Sequence, residues 1–173
     1  MFEDFLPTEI DSFLMSKLDT LSNPRYTSDD GVCHKQFIGI TPQAKQSVRF
    51  SHGRGAYTDP KKKLYVGNLV AKLCPYSDKF SFGGPVEVVL IYCFKWRKSD
   101  GPKDPLYMEE MVQRPDLDNM QKPLFDALTQ SGMFKDDAAI VKVTAMKVRF
   151  GYEGIALKIS DFDANDCTRL PTP

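Results

Sequence analysis

Carboxylates are unusually dense in one stretch of the chain, residues 114–140. Polar and charged side chains recur at short intervals within it, among them Asp116, Asp118, Asn119, Lys122, Asp126, Asp136 and Asp137. A carboxylate cluster that is buried or lines a cleft is costly unless a cation or a proton neutralises it. We therefore hypothesise that these side chains hold a divalent metal ion and that the chemistry is cleavage of a phosphodiester bond.

The prolines in this stretch indicate how its first carboxylates are presented. Pro115 disfavours a helical conformation at Arg114, so the chain should approach in an extended form. Side chains two residues apart on an extended chain point the same way, which would aim Asp116 and Asp118 at one point. Pro123 is tolerated only in the first turn of a helix, so the helix is predicted to begin between residues 118 and 120.

The rest of the stretch supplies Lys122 and a second pair of acids. Asp118, Lys122 and Asp126 are about four residues apart and share one helix stripe. Gly132 is predicted to end the helix. Asp136 and Asp137 follow a turn and precede a predicted strand, so one of them should face the first pair. Carboxylates without histidine or cysteine select Mg²⁺, with Mn²⁺ as the alternative. Such an ion lowers the pKa of a bound water, and Lys122 would stabilise negative charge at the phosphorus or orient the water.

A purely structural interpretation of the same residues stays open at this point. Asp116 or Asp118 could cap a helix. Asp118, Lys122 and Asp126 could form a surface ion-pair ladder, and Asp136 with Asp137 a solvated turn. Spacing alone does not decide between these interpretations and a nuclease.

Length and composition bound the class of protein. The chain has 173 residues and a formal net charge of zero, which favours one domain and excludes a global basic field. Four scattered cysteines without CxxC spacing predict free thiols in a cytoplasmic protein, not a zinc site. The N-terminus has no signal-peptide pattern, and no apolar run is long enough to cross a membrane.

Periodicity predicts an α+β protein with an additional N-terminal helix. That helix begins at Pro7 and has apolar residues on one face. A polar linker follows, so residues 1–36 are predicted to be an acidic appendage, residues 37–162 the core domain and residues 163–173 a polar tail. The core elements are predicted to be strands at 37–40, 85–95, 140–150 and 154–159, a hairpin or a mobile loop around residues 51–55, a helix from 60 to about 73 stopped by Pro75, and a hairpin turn at 151–154. The strand at 85–95 is almost continuously apolar, which predicts burial on both of its faces.

Basic residues gather around the predicted hairpin. They are Lys45, Arg49, Arg54, Lys61, Lys62 and Lys63, with Phe50, His52 and Tyr57 interleaved. Cations near a flexible glycine loop suit phosphate contacts, and aromatic rings suit base stacking. A solvated basic face is the plain alternative.

The acidic stretch follows a recognisable motif, D-x-D-N-x-x-K-x-x-x-D-A-L and then D-D-x-x-I. Residues Asp116 to Leu128 and Asp136 to Ile140 fill every position. The sequence thereby resembles the RusA family of Holliday junction resolvases over about residues 37–160. The resemblance implies a small mixed β-sheet flanked by helices, assembled as a homodimer. It also implies Mg²⁺-dependent cleavage of four-way DNA junctions by paired nicks, in recombination and repair.

Carried onto this chain, the resemblance implies roles for individual residues. Asp116, Asp118 and Asp137 would bind the metal ion with Asp136 close by, and Lys122 would be the catalytic lysine. A bacterial or phage-encoded cytoplasmic protein is expected. The same site on a nuclease for flaps or replication forks is one alternative. A branched-DNA-binding protein without catalysis is another.

Overall fold

A five-stranded mixed sheet lies between helices on both of its faces. The computed structural model describes residues 7–22, 32–44, 49–51, 55–57, 60–101 and 103–162. In chain order the elements are α1 (Pro7–Leu21), β1 (Cys33–Ile38), β2 (Arg49–Ser51), β3 (Gly55–Tyr57), α2 (Pro60–Ser77), β4 (Val86–Lys95), β5 (Glu109–Glu110), α3 (Leu117–Gln130), β6 (Ile140–Phe150) and β7 (Gly154–Asp161). The sheet order is β1-β7-β4-β6-β5, and β2 pairs with β3 as a separate hairpin. The predicted α+β class with a mixed sheet and an N-terminal helix is confirmed.

The central strand β4 explains why the core has two sides. Its run of β-branched and aromatic residues is buried almost throughout, as expected of a strand covered on both faces. Val88, Leu90 and Tyr92 face a cluster that includes buried residues of α2 and α3. Val89 and Ile91 face a second cluster that includes residues of α1. The catalytic candidates on α3 are thus held by the first of these two cores.

The N-terminal helix α1 packs on the sheet as its apolar stripe predicted. Ile10, Leu14 and Leu18 are buried. Phe13 stacks on Phe150, with ring centroids 5.8 Å apart and planes 6° from parallel. This helix therefore covers the sheet face opposite α2 and α3. The predicted linker and tail, residues 23–31 and 163–173, lie outside the described residues.

One charged side chain near the end of α1 meets two lysines of the sheet. The Asp19 carboxylate accepts hydrogen bonds from Lys35 at 2.6 Å and from Lys158 at 3.0 Å. Lys158 is only 1% exposed. Burial raises the pKa of Asp19, but the hydrogen bonds from both lysines outweigh it and hold that pKa below its ordinary value. The charged form of Asp19 is thus the one that the fold requires.

The predicted hairpin turn at residues 151–154 is wrong. Strand β6 runs parallel to β4 on one side, and β7 runs antiparallel to β4 on the other. The turn therefore passes the end of β4 instead of joining paired neighbours. Gly154 is required there, because a Cβ atom would lie 2.4 Å from the Phe37 ring. Alternating apolar residues indicate that a segment is a strand, but they do not identify the strand with which it pairs in the sheet.

Predicted element boundaries also shift at β1, α2 and α3. Strand β1 begins at Cys33, because residues 33–38 pair with residues 155–160 of β7. Helix α2 continues to Ser77 with Pro75 in its last turn, where a missing N–H removes one hydrogen bond. Helix α3 begins at Leu117, so Pro123 lies in its second turn rather than its first. Pro123 is buried, and packing of its ring offsets the lost bond.

A buried histidine joins β1 to the end of α2, and its burial predicts a pH-dependent stability. His34 is 2% exposed and packs 5.0 Å from Tyr76 and 4.7 Å from Phe80 between ring centroids. Desolvation by burial lowers the pKa of His34, although a hydrogen bond with Gln36 opposes it. The unfolded chain, whose histidine pKa is about 6.5, therefore binds the proton at higher pH than the folded chain does.

We expect the free energy of unfolding to be pH-independent with respect to His34 above its ordinary pKa and to fall as the pH drops below it. Denaturant titrations at a series of pH values from neutral to mildly acidic measure this directly. His34→Phe keeps a ring against Tyr76 and Phe80 and should remove that pH dependence. An unchanged pH profile in the variant would assign the effect to another group.

Candidate metal and DNA site

The first carboxylate of the acidic stretch stands at the start of α3. Asp116 is the N-cap residue, with extended backbone angles of φ −73° and ψ 139°, and its side chain forms no capping hydrogen bond. The preceding Arg114–Pro115 peptide bond is cis. The Asp116 side chain is exposed. Its carboxylate is thus close to the positive end of the helix dipole but is not occupied by capping.

The first turns of α3 carry the second carboxylate and the lysine. Asp118 and Lys122 are exposed, and Asp126 is partly buried. Residues four apart are neighbours on a helix surface, so these three side chains share one stripe as predicted. The opposite side is apolar and buried, through Met120, Pro123, Leu124, Ala127 and Leu128. The amphipathic helix therefore points its charged stripe away from the core.

The end of α3 is set by a glycine, as predicted. Gly132 has a φ of +84°, a left-handed conformation that glycine adopts without steric cost. Its N–H donates to the Thr129 carbonyl at 3.1 Å, and the Met133 N–H donates to the Leu128 carbonyl at 3.2 Å. This pair of bonds is the Schellman motif. The chain is thereby turned from the helix toward the second acidic pair.

The two acids of the second pair have different surroundings. A 3-10 turn, Asp137–Ala139, immediately precedes β6, and Asp136 is the N-cap residue of this turn. The Asp136 Oδ1 atom accepts a hydrogen bond from the Ala138 N–H at 2.8 Å. Asp137 lies within the turn and is exposed. One oxygen of Asp136 is therefore committed to a local structural bond.

Helix α3 separates the two acidic pairs. A helix rises about 1.5 Å per residue, so Leu117 and Gln130 are roughly 20 Å apart along its axis. Asp116 and Asp118 lie at one end, while Asp136 and Asp137 follow the other. Within the part of the chain that the structure describes, no three histidine, cysteine or acidic side chains come close enough to hold a metal ion. Asp116, Asp118 and Lys122 therefore lie at the start of α3, and a metal site that they form with Asp136 or Asp137 stays a prediction.

The predicted DNA-contacting cations are only partly described. Lys45, Arg54 and His52 lie outside the described residues. Arg49 belongs to β2, which forms a hairpin with β3 as expected. Lys61, Lys62 and Lys63 occupy the first turn of α2, and Lys61 and Lys63 are exposed. The basic first turn of α2 is thus accessible to a polyanion.

One residue at the site was not found from the sequence. Lys147 on β6 donates from Nζ to the carbonyls of Gln113 at 2.6 Å and Pro115 at 2.7 Å. It lies on the strand face that carries Val141, Val143 and Ala145. A lysine that follows two valines and an alanine on one strand face was the available signal, but its partners are more than thirty residues away in sequence.

The mixed sheet, with an acidic and lysine-bearing helix at its side, defines the class as a small α+β protein with a candidate hydrolytic site. The family model for the endodeoxyribonuclease RusA matches residues 39–160, and this chain belongs to the RusA family. It is also 38% identical, over 53 residues, to the crossover junction endodeoxyribonuclease RusA of Aquifex aeolicus strain VF5. That match covers 30% of this chain and 42% of the relative.

The family match bears on two features of the fold. Nucleases of the RusA family are metal-dependent, which agrees with the carboxylates of α3. Helix α1 and strand β1 precede residue 39 and lie outside the matched region.

None of the helices in the described ranges is long and apolar enough to cross a membrane.

Proposed function

We propose that this protein is a magnesium-dependent endodeoxyribonuclease that resolves four-way DNA junctions by paired, symmetric nicks. The observation that carries the proposal is the start of α3, where the exposed carboxylates of Asp116 and Asp118 stand one turn before the exposed Lys122. These residues lie within the RusA family match. The printed name of the Aquifex relative, a crossover junction endodeoxyribonuclease, supports the same reaction. We further propose that the protein acts in the cytoplasm of a bacterium, as a bacterial or phage-encoded enzyme.

The donor set fits a hard divalent cation. Asp116, Asp118 and Asp137 would hold it, since all three offer exposed carboxylates and oxygen ligands are those that Mg²⁺ prefers. Asp136 would be a supporting residue, because one of its oxygens already accepts the Ala138 N–H. A bound Mg²⁺ or Mn²⁺ supplies charge neutralisation at the scissile phosphate and a more acidic water. Asn119 and Asp126 would orient neighbouring side chains.

The remaining chemistry belongs to side chains of α3 and α2. Lys122 would place its ammonium beside the phosphate oxygens, where negative charge grows as the P–O bond to the leaving oxygen lengthens. Lysine makes such a contact as a point charge on a flexible stem. Lys61, Lys62 and Lys63, together with Lys45, Arg49 and Arg54, would bind the flanking phosphates. Such contacts fix the register of the DNA but do not read its sequence.

Two copies of the chain would be needed to complete each metal site. Asp137 follows the end of α3, and within the described residues it does not join Asp116 and Asp118 in a group that could hold a metal ion. In a two-fold dimer with the helices side by side and antiparallel, Asp137 of one copy meets the start of α3 of the other. The same symmetry would present two equivalent sites to the two strands that paired nicks require. A homodimer on branched DNA is therefore our proposed assembly.

A substrate panel tests this function against its alternatives. We expect the full chain with Mg²⁺ to cut a synthetic four-way junction at two symmetric positions, and to leave linear duplex of the same sequence intact. Cuts confined to flaps or replication forks would replace the proposal with a nuclease for those structures. Junction binding without cleavage in either Mg²⁺ or Mn²⁺ would show a non-catalytic DNA-binding protein.

A further inference from the structure

We propose that Lys147 of β6 is a positioning residue that fixes the Asp116 and Asp118 carboxylates by holding the backbone in front of them. The inference rests on the proposed function, because it concerns the same carboxylates. Lys147 itself is assigned no contact with DNA or metal. Its action is transmitted through the main chain between Met111 and Asp116.

The first step of the argument is the set of bonds around Lys147. Its Nζ atom donates to the Gln113 carbonyl at 2.6 Å and to the Pro115 carbonyl at 2.7 Å. Its own carbonyl accepts the Met111 N–H at 3.0 Å. Bonds from a charged donor are stronger than neutral ones. Lys147 thus forms three hydrogen bonds to the five-residue segment 111–115, at residues 111, 113 and 115.

The second step is that the segment has little other support from the sheet. Strand β5 pairs with β6 only at Glu109 and Glu110, and the next strand-like contact is the Met111 bond to Lys147. Met111 is buried, but Val112 beyond it is 88% exposed, so side-chain packing holds the segment at residue 111 and not at residue 112. Between Val112 and α3, the two bonds that Lys147 donates to the Gln113 and Pro115 carbonyls tie the segment to β6.

The third step links the anchor to the carboxylates. Pro115, whose carbonyl is bound, directly precedes Asp116, the N-cap of α3. Asp116 makes no capping bond of its own, so its direction is set by the backbone before it. Catalytic geometry is sensitive at this scale, since a 1 Å displacement can lower a rate by about 100-fold. Lys147 therefore controls where the first pair of metal ligands lies.

Three variants separate this role from loss of a positive charge. Lys147→Met keeps the aliphatic stem and removes both donors. Lys147→Arg keeps a cation with several donors and should restore most of what Lys147→Met loses. Lys79→Met removes the same charge from an exposed turn after α2 and serves as the matched control.

Hydrogen exchange and Mn²⁺ binding give readouts that do not depend on turnover. In Lys147→Met we expect faster amide exchange over residues 111–118 and about tenfold weaker Mn²⁺ binding, a change worth about 1.4 kcal/mol. On a four-way junction we expect kcat to fall by about 10- to 100-fold while KM stays near the wild-type value. Lys79→Met should match the wild type in exchange and in Mn²⁺ binding.

The outcomes distinguish this inference from the proposed function. Unchanged exchange over residues 111–118 in Lys147→Met overturns the positioning role, whatever the activity. A change in KM alone assigns Lys147 to DNA binding and also overturns it. If the wild type cleaves no branched DNA, the proposed function fails, whereas faster exchange in Lys147→Met and its recovery in Lys147→Arg still support the anchor.

Discussion

Asp118→Asn is expected to lower junction cleavage by at least about 1,000-fold, equivalent to about 4 kcal/mol of transition-state stabilisation. The substitution removes one metal-binding charge while keeping the size of the side chain. Asp118 is exposed in the first turn of α3, so folding should be unaffected. Junction binding should be retained or become tighter, because one negative charge no longer repels the phosphates. Single-turnover cleavage and a binding titration in Ca²⁺ measure the two effects separately.

The matched control for Asp118→Asn is Asp78→Asn, which makes the same chemical change at an exposed turn residue after α2. It should cleave like the wild type. If Asp118→Asn also keeps its cleavage rate, Asp118 is not a metal ligand. If it loses junction binding as well, its role is structural or in DNA contact.

Asp19→Ala is expected to lower the free energy of unfolding by about 2–4 kcal/mol, the largest stability effect that we predict for a single polar residue. The Lys158 ammonium is bound by Asp19 at 3.0 Å and is 1% exposed. Without the carboxylate, a buried charge is left without its partner. The effect lies toward the lower part of the range for buried pairs, because the Asp19 side chain is 47% exposed. Denaturant titration near neutral pH measures it.

Two companion variants make the Asp19 prediction specific. Lys35→Ala removes the more exposed partner of the same carboxylate and should cost less than about 1 kcal/mol. The double variant Asp19→Ala, Lys158→Met should recover much of the lost stability, since no charge remains buried. Equal losses in Asp19→Ala and Lys35→Ala would mean that Lys158 reaches another acceptor or water.

Local patterns predicted those elements whose signals lie within a few residues. The stripe of Ile10, Leu14 and Leu18 predicted α1 and its buried face, which the structure confirms. The continuous apolar run of β4 predicted a strand covered on both faces. Gly132 predicted the end of α3, where it adopts the left-handed conformation that a Schellman motif requires.

Long-range relations were not accessible in the same way. Residues 151–154 have the composition of a hairpin turn, yet β4 lies between β6 and β7. The sheet order depends on which strand edges pair most favourably, and the alternation of apolar and polar residues along one strand does not indicate its partner. The partnership of Asp19 with Lys158, 139 residues apart, is of the same kind. The sequence shows that a strand contains a lysine, but it does not show which side chain binds that lysine.

The candidate site also combines residues that a local pattern predicts with residues whose position depends on the path of the chain. Asp116, Asp118 and Lys122 are close in sequence, and α3 places Asp118 and Lys122 on one helix stripe with Asp116 as its N-cap residue. The expectation that Asp136 or Asp137 faces them depends on the path of the chain after α3, which a local pattern does not predict. The structure adds a hydrogen bond that the Ala138 N–H donates to the Asp136 carboxylate, and in our proposal this favours Asp137 as the metal ligand.

A cruciform plasmid nicking assay in Mg²⁺ tests the central claim most directly. The wild type should convert the plasmid to the linear form by paired nicks, and Asp118→Asn and Asp137→Asn should each be inactive. Subunits of the two variants, mixed and allowed to exchange, should regain one intact site in each mixed dimer and yield nicked circles without linear product. Failure of the wild type to produce linear plasmid would contradict the proposed reaction. A mixture that stays inactive after demonstrated exchange would contradict a metal site shared between two copies.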